Sequence, residues 1–338
     1  MRAYKLTEPQ KIEKIEWNDP SSKEGLANIR LTKSMITLGD IVSFNGSDDF
    51  SEIIPGSFGV GVVSEIPENL YDIKRGDRVY VAPAVSCGEC YNCTNGNSNK
   101  CSDFKVAGNN ADGFLRDFYA TELSNVYKLP QAVTDDVALY IEYVAKSVSI
   151  IDAMNLRKGD HVAVIGAGNL GNILSQIMIY YQCVPVLIDN DKTQLDNAGK
   201  SGIYYRVSSD DNPTKYINNV TAGRFCKGVV YITESYVNPK VAFSLASFGA
   251  PVVVTGTTSR SPKIDLTVAC EKQLTVMCIT SGYGNTASAI NLINNNAVDF
   301  SNLPVNKISF NEVPSVFAKG NKCYENKETF VNAIVDLM

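Results

Sequence analysis

Over the first 130 residues, apolar positions fall in short runs: MRAYKLT, LANIRLTK, GVGVVSEI, DRVYVAP, GFLRDFYAT and NVYKLP. β-Branched and aromatic residues dominate them, and Gly, Pro, Asn and Asp clusters separate them, which predicts strands joined by turns. The expected unit is a barrel-like antiparallel domain. From Thr134 the period changes. TDDVALYIEYVAKSVSIIDAMNL has helical spacing, a Thr cap and two Asp in its first turn. Beyond it, HVAVI, PVLID, GVVYI, PVVVT and LTVMCI are runs of the buried-strand type, with LGNILSQIMIYY, KTQLDNAGKSG and NPKVAFSLAS as helices between them. That alternation predicts a doubly wound parallel sheet. A last helix, ASAINLINNNA, leads to ISFNEVPSVFAKG and FVNAIVDL, a tail whose strand can return to the first domain. The reading is α/β in two parts: a β-rich domain over 1–145, completed by 287–338, and a doubly wound parallel-sheet domain over 146–286.

Composition narrows the function classes. The 338 residues are 44% apolar and 20% charged, with a net charge of −5 and no basic tract, so nucleic acid is not an expected partner. No run approaches the length of a membrane span, and MRAYKLTEPQ lacks the pattern of a signal peptide; the expectation is a cytoplasmic protein. Five of the nine cysteines (Cys183, Cys226, Cys270, Cys278, Cys323) are scattered singly and read as small apolar residues. His161 is the sole histidine, which excludes any mechanism needing several imidazoles.

VAVIGAGNLGNILSQ holds Gly166-Ala167-Gly168-Asn169-Leu170-Gly171 between a predicted strand and a predicted helix, the context that gives a GxGxxG its meaning. Gly166 permits the tight turn, Gly168 lets backbone approach a pyrophosphate, Gly171 lets helix and strand pack closely, and the helix N-terminus faces the phosphates. Asp189 ends the next strand. A carboxylate there accepts from ribose hydroxyls and repels a 2′-phosphate, and no basic residue follows until Lys192, so NAD is expected over NADP. Asp189 also reads as a cap for the helix that follows.

CGECYNCTNGNSNKC places Cys87, Cys90, Cys93 and Cys101 at C-x2-C-x2-C-x7-C spacing. Four thiolates able to converge tetrahedrally suit one structural zinc, with iron–sulfur, disulfides and empty thiols as the alternatives. Zinc closed by four cysteines has no open position and is no Lewis acid.

With these residues in place, the chain resembles the medium-chain dehydrogenase/reductases of the zinc alcohol and polyol dehydrogenase type. GDRVYVAPAVSCGECYNCTNGNSNKC is similar to the family's structural-zinc lobe, DGFLRDFYA to the strand after it, VYKLPQAVTDDVALYIE to the entry of the linking helix, and LRKGDHVAVIGAGNLG to the start of the cofactor domain. The resemblance implies a GroES-like catalytic domain with a Rossmann domain, the C-terminus returning to the catalytic part, and a homodimer or homotetramer with edge strands such as LTVMCIT pairing across subunits.

The same frame exposes departures. Members with a catalytic zinc carry Cys-Gly-Ser/Thr-Asp and, later, Pro-Gly-His-Glu; here the chain reads Thr37-Leu38-Gly39-Asp40 and Pro55-Gly56-Ser57-Phe58. Thr37 stands for the Cys ligand, Ser57 for the His and Phe58 for the Glu, while Glu142 keeps the position of a Glu or Cys. Two hydroxyls and one carboxylate make a poor zinc site, so no catalytic zinc is expected. His161 starts the first Rossmann strand, at the end away from the cofactor, and is no substitute. Lys146, four residues after Glu142 on one helix face, occupies a position that by resemblance lies beside the nicotinamide; it is the candidate to supply charge or a proton, with Thr37 and Ser57 as hydrogen-bond donors. The alternative for Lys146 is an ordinary Glu–Lys pair. Glu234, in ITES where the family has a small residue and Gly, reads as a solvated loop residue, the alternative being that it disturbs or redirects a cofactor contact. The expected function is NAD(H)-dependent interconversion of alcohol and carbonyl on a small polyol- or sugar-like substrate. The alternatives are a zinc-free reductase of enones or quinones and a non-catalytic NAD-binding sensor or partner subunit.

Overall fold

The computed structural model describes residues 1–16, 25–46, 50–67, 72–256 and 266–338. Two compact units divide the chain: Met1–Glu142 with Pro304–Met338, and Tyr143–Leu303. The second unit keeps the helix Thr286–Asn294, so the tail leaves it later than the sequence pattern suggested.

In the first unit, strands Asn306–Ser309, Ala333–Asp336, Ala27–Ile36, Phe58–Glu65, Arg78–Val81 and Val126–Lys128 lie side by side, and Phe118–Thr121 also pairs with Ala27–Ile36. Ala333–Asp336 runs antiparallel to Ala27–Ile36, with Ile334 opposite Met35, so the C-terminal tail is a sheet member and not an appendage. The core gathers Leu6, Ile29, Leu31, Ile36, Ile41, Val79, Val81, Phe114 and Phe317.

Two contacts set the local frame of the candidate site in this unit. Helix Leu38–Asn45, which the apolar pattern did not show, is clamped by Val313–Asn326: the Phe44 and Phe317 rings lie 5.2 Å apart, and Asn45 donates to Asn321 at 2.5 Å. Helix Asp135–Ala138 begins at Thr134, whose hydroxyl accepts the Val137 amide as its sequence predicts. Its two first-turn aspartates are held from the sheet by Lys33 and Lys307 on Asp136 and by Arg78 and Thr32 on Asp135. The single helix expected from Thr134 onward is in fact two, Asp135–Ala138 and Ile141–Met154, with an i→i+3 bond from Tyr140 to Val137 at the break. No Gly or Pro announces that break.

In the second unit, six strands run parallel in the order Tyr205–Ser208, Val184–Asp189, His161–Ile165, Gly228–Ile232, Pro251–Thr255 and Thr275–Cys278. The order reverses direction between His161–Ile165 and Gly228–Ile232, which is the switch point of a doubly wound sheet. Strand Tyr205–Ser208 and helix Pro213–Val220 lacked a clear signal in the pattern. Thr275–Cys278 departs from expectation: its apolar residues suggested burial, but as an edge strand it leaves Thr275, Val276 and Cys278 exposed.

Phe317 is fully buried, so Phe317→Ala should cost about 3–5 kcal/mol in urea unfolding. A cost near zero would mean that the C-terminal helix is not part of the first unit's core.

Candidate functional site

The cysteine lobe is built for a tetrahedral ion. Neighbouring sulfurs stand 3.5 Å apart (Cys90–Cys93, Cys101–Cys87), 3.9 Å (Cys90–Cys101) and 4.0 Å (Cys87–Cys93), and all four lie within 4.8 Å of one another. Zn–S bonds of about 2.3 Å at tetrahedral angles put sulfurs roughly 3.8 Å apart. A disulfide needs about 2.05 Å, and all four thiols are free. The Cys93 amide, first among several hydrogen bonds, pulls the Cys90 thiol down to about 5, toward the thiolate a metal requires. The residues fit one structural zinc. Among the described residues this is the one cluster of three or more His, Cys, Asp or Glu side chains suited to a metal.

The dinucleotide loop lies at the switch point of the second unit. Gly166 turns the chain at φ +111°, and its carbonyl presses on Gly171 so closely that any Cβ at 171 would collide with it. Gly168 precedes helix Asn169–Tyr180, and the space a side chain would take there is open, as a phosphate cradle requires. Leu170 is buried beneath. Asp189 is 6% exposed and accepts the Ala167 amide at 2.5 Å and the Asp191 amide at 2.9 Å, one on each oxygen. Burial raises its pKa against the pull of those amides. It does not cap the next helix: Asp191 does, accepting from Thr193 and Gln194. Asp189 thus ties the strand end to the glycine loop and keeps a lone pair on each oxygen for ribose hydroxyls. The residues fit a nicotinamide dinucleotide.

Thr37 and Ser57 meet in the first unit. Thr37 caps helix Leu38–Asn45, and its Oγ1 lies 2.8 Å from Ser57 Oγ. Ser57 Oγ donates to Asp40 Oδ2 at 2.7 Å; the same oxygen takes the Thr37 amide at 2.8 Å and lies 3.3 Å from Thr37 Oγ1. Gly56 N–H donates to Asp40 Oδ1 at 2.6 Å. Asp40 is fully buried, which raises its pKa, while the hydrogen bonds it accepts oppose the rise. A hydroxyl has one proton. With the Ser57 proton on Asp40, Thr37 is the donor in the 2.8 Å contact, and its own oxygen accepts from Gly39 N–H at 3.2 Å. With both protons used inside the group, the two oxygens keep acceptor capacity. As zinc ligands, two neutral oxygens bonded to each other at this distance are a poor set. Asp40 carries this geometry, yet no role was read for it; the capping-box spacing Thr37-x-x-Asp40 was the available signal.

Glu142 is 5% exposed and in electrostatic reach of Tyr80, whose phenol burial first, and then that charge, hold well above its ordinary pKa. Tyr80 Oη is buried with no hydrogen-bond partner, and sequence reasoning missed it because it reads as one more strand residue. Lys146 is half-buried. Gly282, past the carboxyl end of strand Thr275–Cys278, is pressed against Ala145 and the Lys146 amide, which puts the start of this helix at the carboxyl edge of the second unit's sheet. Glu234 is half-buried against Gly256 at the same edge, not a solvated loop residue. His161 starts its strand at the opposite edge, its pKa lowered by burial and then by Arg224.

Residues 23–131 match the family described as alcohol dehydrogenase GroES-like domain. A zinc-type alcohol dehydrogenase-like protein of Haemophilus influenzae is 25% identical over 319 residues, 93% of this chain and 93% of its own length. D-xylulose reductase A of Aspergillus oryzae is 25% identical over 273 residues, 78% of this chain and 76% of its own. A short chain alcohol dehydrogenase of Escherichia coli CFT073, solved with NADH, superposes with a TM-score of 0.86 at 22% identity, covering 100% of this chain and 99% of its own. These likenesses support a place for the chain in the medium-chain dehydrogenase/reductase superfamily. Within it, the likeness is to oxidoreductases of the alcohol and polyol dehydrogenase type.

Metal analysis should find about one zinc per chain, and Cys90→Ser should remove most of it. Zinc content unaffected by that substitution would place the metal elsewhere.

Proposed function

We propose that the protein interconverts an alcohol and a carbonyl with NAD(H) on a small polyol- or sugar-like substrate, without a catalytic zinc. The observation that carries this reading is the Thr37–Ser57 hydroxyl pair, closed on Asp40 at positions that by resemblance answer to the family's zinc ligands, in a chain whose dinucleotide loop is complete. NAD would supply the acceptor or donor of hydride. Gly166, Gly168, Asn169, Leu170 and Gly171 offer backbone and a helix N-terminus to its pyrophosphate, and Asp189 offers oxygens to its ribose while disfavouring a 2′-phosphate. With no metal to stabilise the developing alkoxide, the ammonium of Lys146 is the group suited to it. Glu142 adds a buried carboxylate, and the Thr37 and Ser57 hydroxyls are the proposed partners of the substrate hydroxyl.

The cysteine zinc holds the lobe and takes no part in hydride transfer. The exposed edge strand Thr275–Cys278 supports a homodimer or homotetramer paired through it, in the cytoplasm.

The test is NADH oxidation over ketoses such as D-xylulose and fructose, with aldehydes and enones alongside. Ketose turnover with about one zinc per chain is expected, and Lys146→Met should lower kcat by ~10²-fold or more with NADH binding kept. Two zincs per chain would sink the zinc-free mechanism. Enone reduction alone would move the protein to the other chemistry, and tight NADH binding without turnover would make it a sensor.

A further inference from the structure

Asp40 has no part in the reading above beyond holding two hydroxyls, yet its geometry gives those hydroxyls a direction. Ser57 Oγ is the partly exposed member of the group; Thr37 and Asp40 lie beneath, buried. The bonds run one way: Gly39 N–H to Thr37, Thr37 O–H to Ser57, Ser57 O–H to Asp40 Oδ2. Ser57 Oγ has two lone pairs and spends one on Thr37. The other is open to a donor, and an alcohol O–H is such a donor.

We propose that Ser57 takes the proton of the substrate hydroxyl and passes its own to Asp40, which is the proton acceptor of the reaction. This rests on the alcohol–carbonyl reading above. In oxidation, the carbinol C–H bond breaks and hydride leaves with its electron pair for NAD⁺, the oxidant. The carbinol O–H bond breaks as a new Ser57 O–H forms, and the former Ser57 proton bonds to Asp40 Oδ2. The substrate loses two electrons and becomes a carbonyl; the carboxyl group ends neutral and returns its proton through Ser57 after the product leaves. Reduction runs the same path backward, with protonated Asp40 as the source.

The surroundings suit a carboxylate that changes charge. Its oxygens meet the Thr37 and Ser57 hydroxyls and the Thr37 and Gly56 amides, and Gly108 packs against Oδ1. None of these is charged, and none titrates in the working range. Burial, the larger effect, disfavours the anion while the hydrogen bonds favour it. Thr37 holds Ser57 in the donating orientation and is a positioning residue.

The sign of the pH dependence follows. Oxidation needs ionised Asp40, so kcat falls as pH drops through a folded pKa that lies above the ordinary carboxylate value; reduction needs the protonated form and runs the other way.

Ser57→Ala in the NAD(H)-loaded protein is the test. Asp40 keeps its two backbone amides, so folding and NADH binding should persist. The expected result is a fall in kcat of ~10²-fold or more, a smaller change in KM, and loss of the acid limb of the oxidation profile. Ser57→Thr should recover most of the loss, and Asp40→Asn should lose the same limb. An unchanged kcat and profile in Ser57→Ala overturns the relay and leaves the alcohol–carbonyl reading standing. If the wild type turns over no alcohol or carbonyl, that reading fails instead, and infrared spectroscopy of the Asp40 carboxyl decides the relay. A carboxyl band that titrates between about pH 4 and 9 and exchanges with solvent slowly only in Ser57→Ala supports it; a carboxylate that stays ionised throughout overturns it.

Discussion

A buried carboxylate must be solvated by its own protein, and Asp40 shows what that demand organises. Its two oxygens take the amides of Thr37 and Gly56 and the hydroxyl of Ser57, so one side chain joins a helix start to a loop that lies sixteen residues on. Remove the carboxylate and those donors lose their partner in a water-free place, at a cost of about 1–3 kcal/mol each. The contact therefore sets where Thr37 and Ser57 can be and which way their protons point. Clamping of helix Leu38–Asn45 by the C-terminal helix, through Phe44 and Phe317, holds the whole arrangement from behind.

Two donor sets in the first unit have opposite chemistry. Four thiols at 3.5–4.0 Å, one of them, Cys90, steered toward thiolate first by the Cys93 amide, describe a sphere into which zinc fits. Two hydroxyls at 2.8 Å have already used each other. The difference is one of charge and spacing: zinc gains from anionic sulfur at tetrahedral distances and little from neutral oxygens turned toward a carboxylate.

The second unit obeys a topological rule. In a doubly wound sheet, ligands bind outside the carboxyl ends of the strands where the order reverses. Gly166–Gly171 and Asp189 stand at that edge on one side of the switch, Glu234 and the start of the Lys146 helix on the other, and His161 at the far end of its strand. Asp189 illustrates how tightly the loop is tied: it bonds the Ala167 amide across the turn before any ligand is present.

Much of this was legible in the chain. Period-two runs followed by alternating strands and helices marked the two architectures, because burial on one face or two leaves its imprint on hydrophobic order. The glycine spacing, the four cysteines and the hydroxyls at Thr37 and Ser57 are local facts, and local facts survive in sequence. What escaped was set by distant partners. Helix Leu38–Asn45 forms against a helix nearly three hundred residues later, and the tail strand Ala333–Asp336 finds Ala27–Ile36. Asp191, not Asp189, caps its helix because the glycine loop claims Asp189. Sequence named two hydroxyls and supposed them donors. Only the tertiary structure could spend their protons, because a hydroxyl's direction is fixed by the acceptor that meets it, and here that acceptor is a carboxylate on another element.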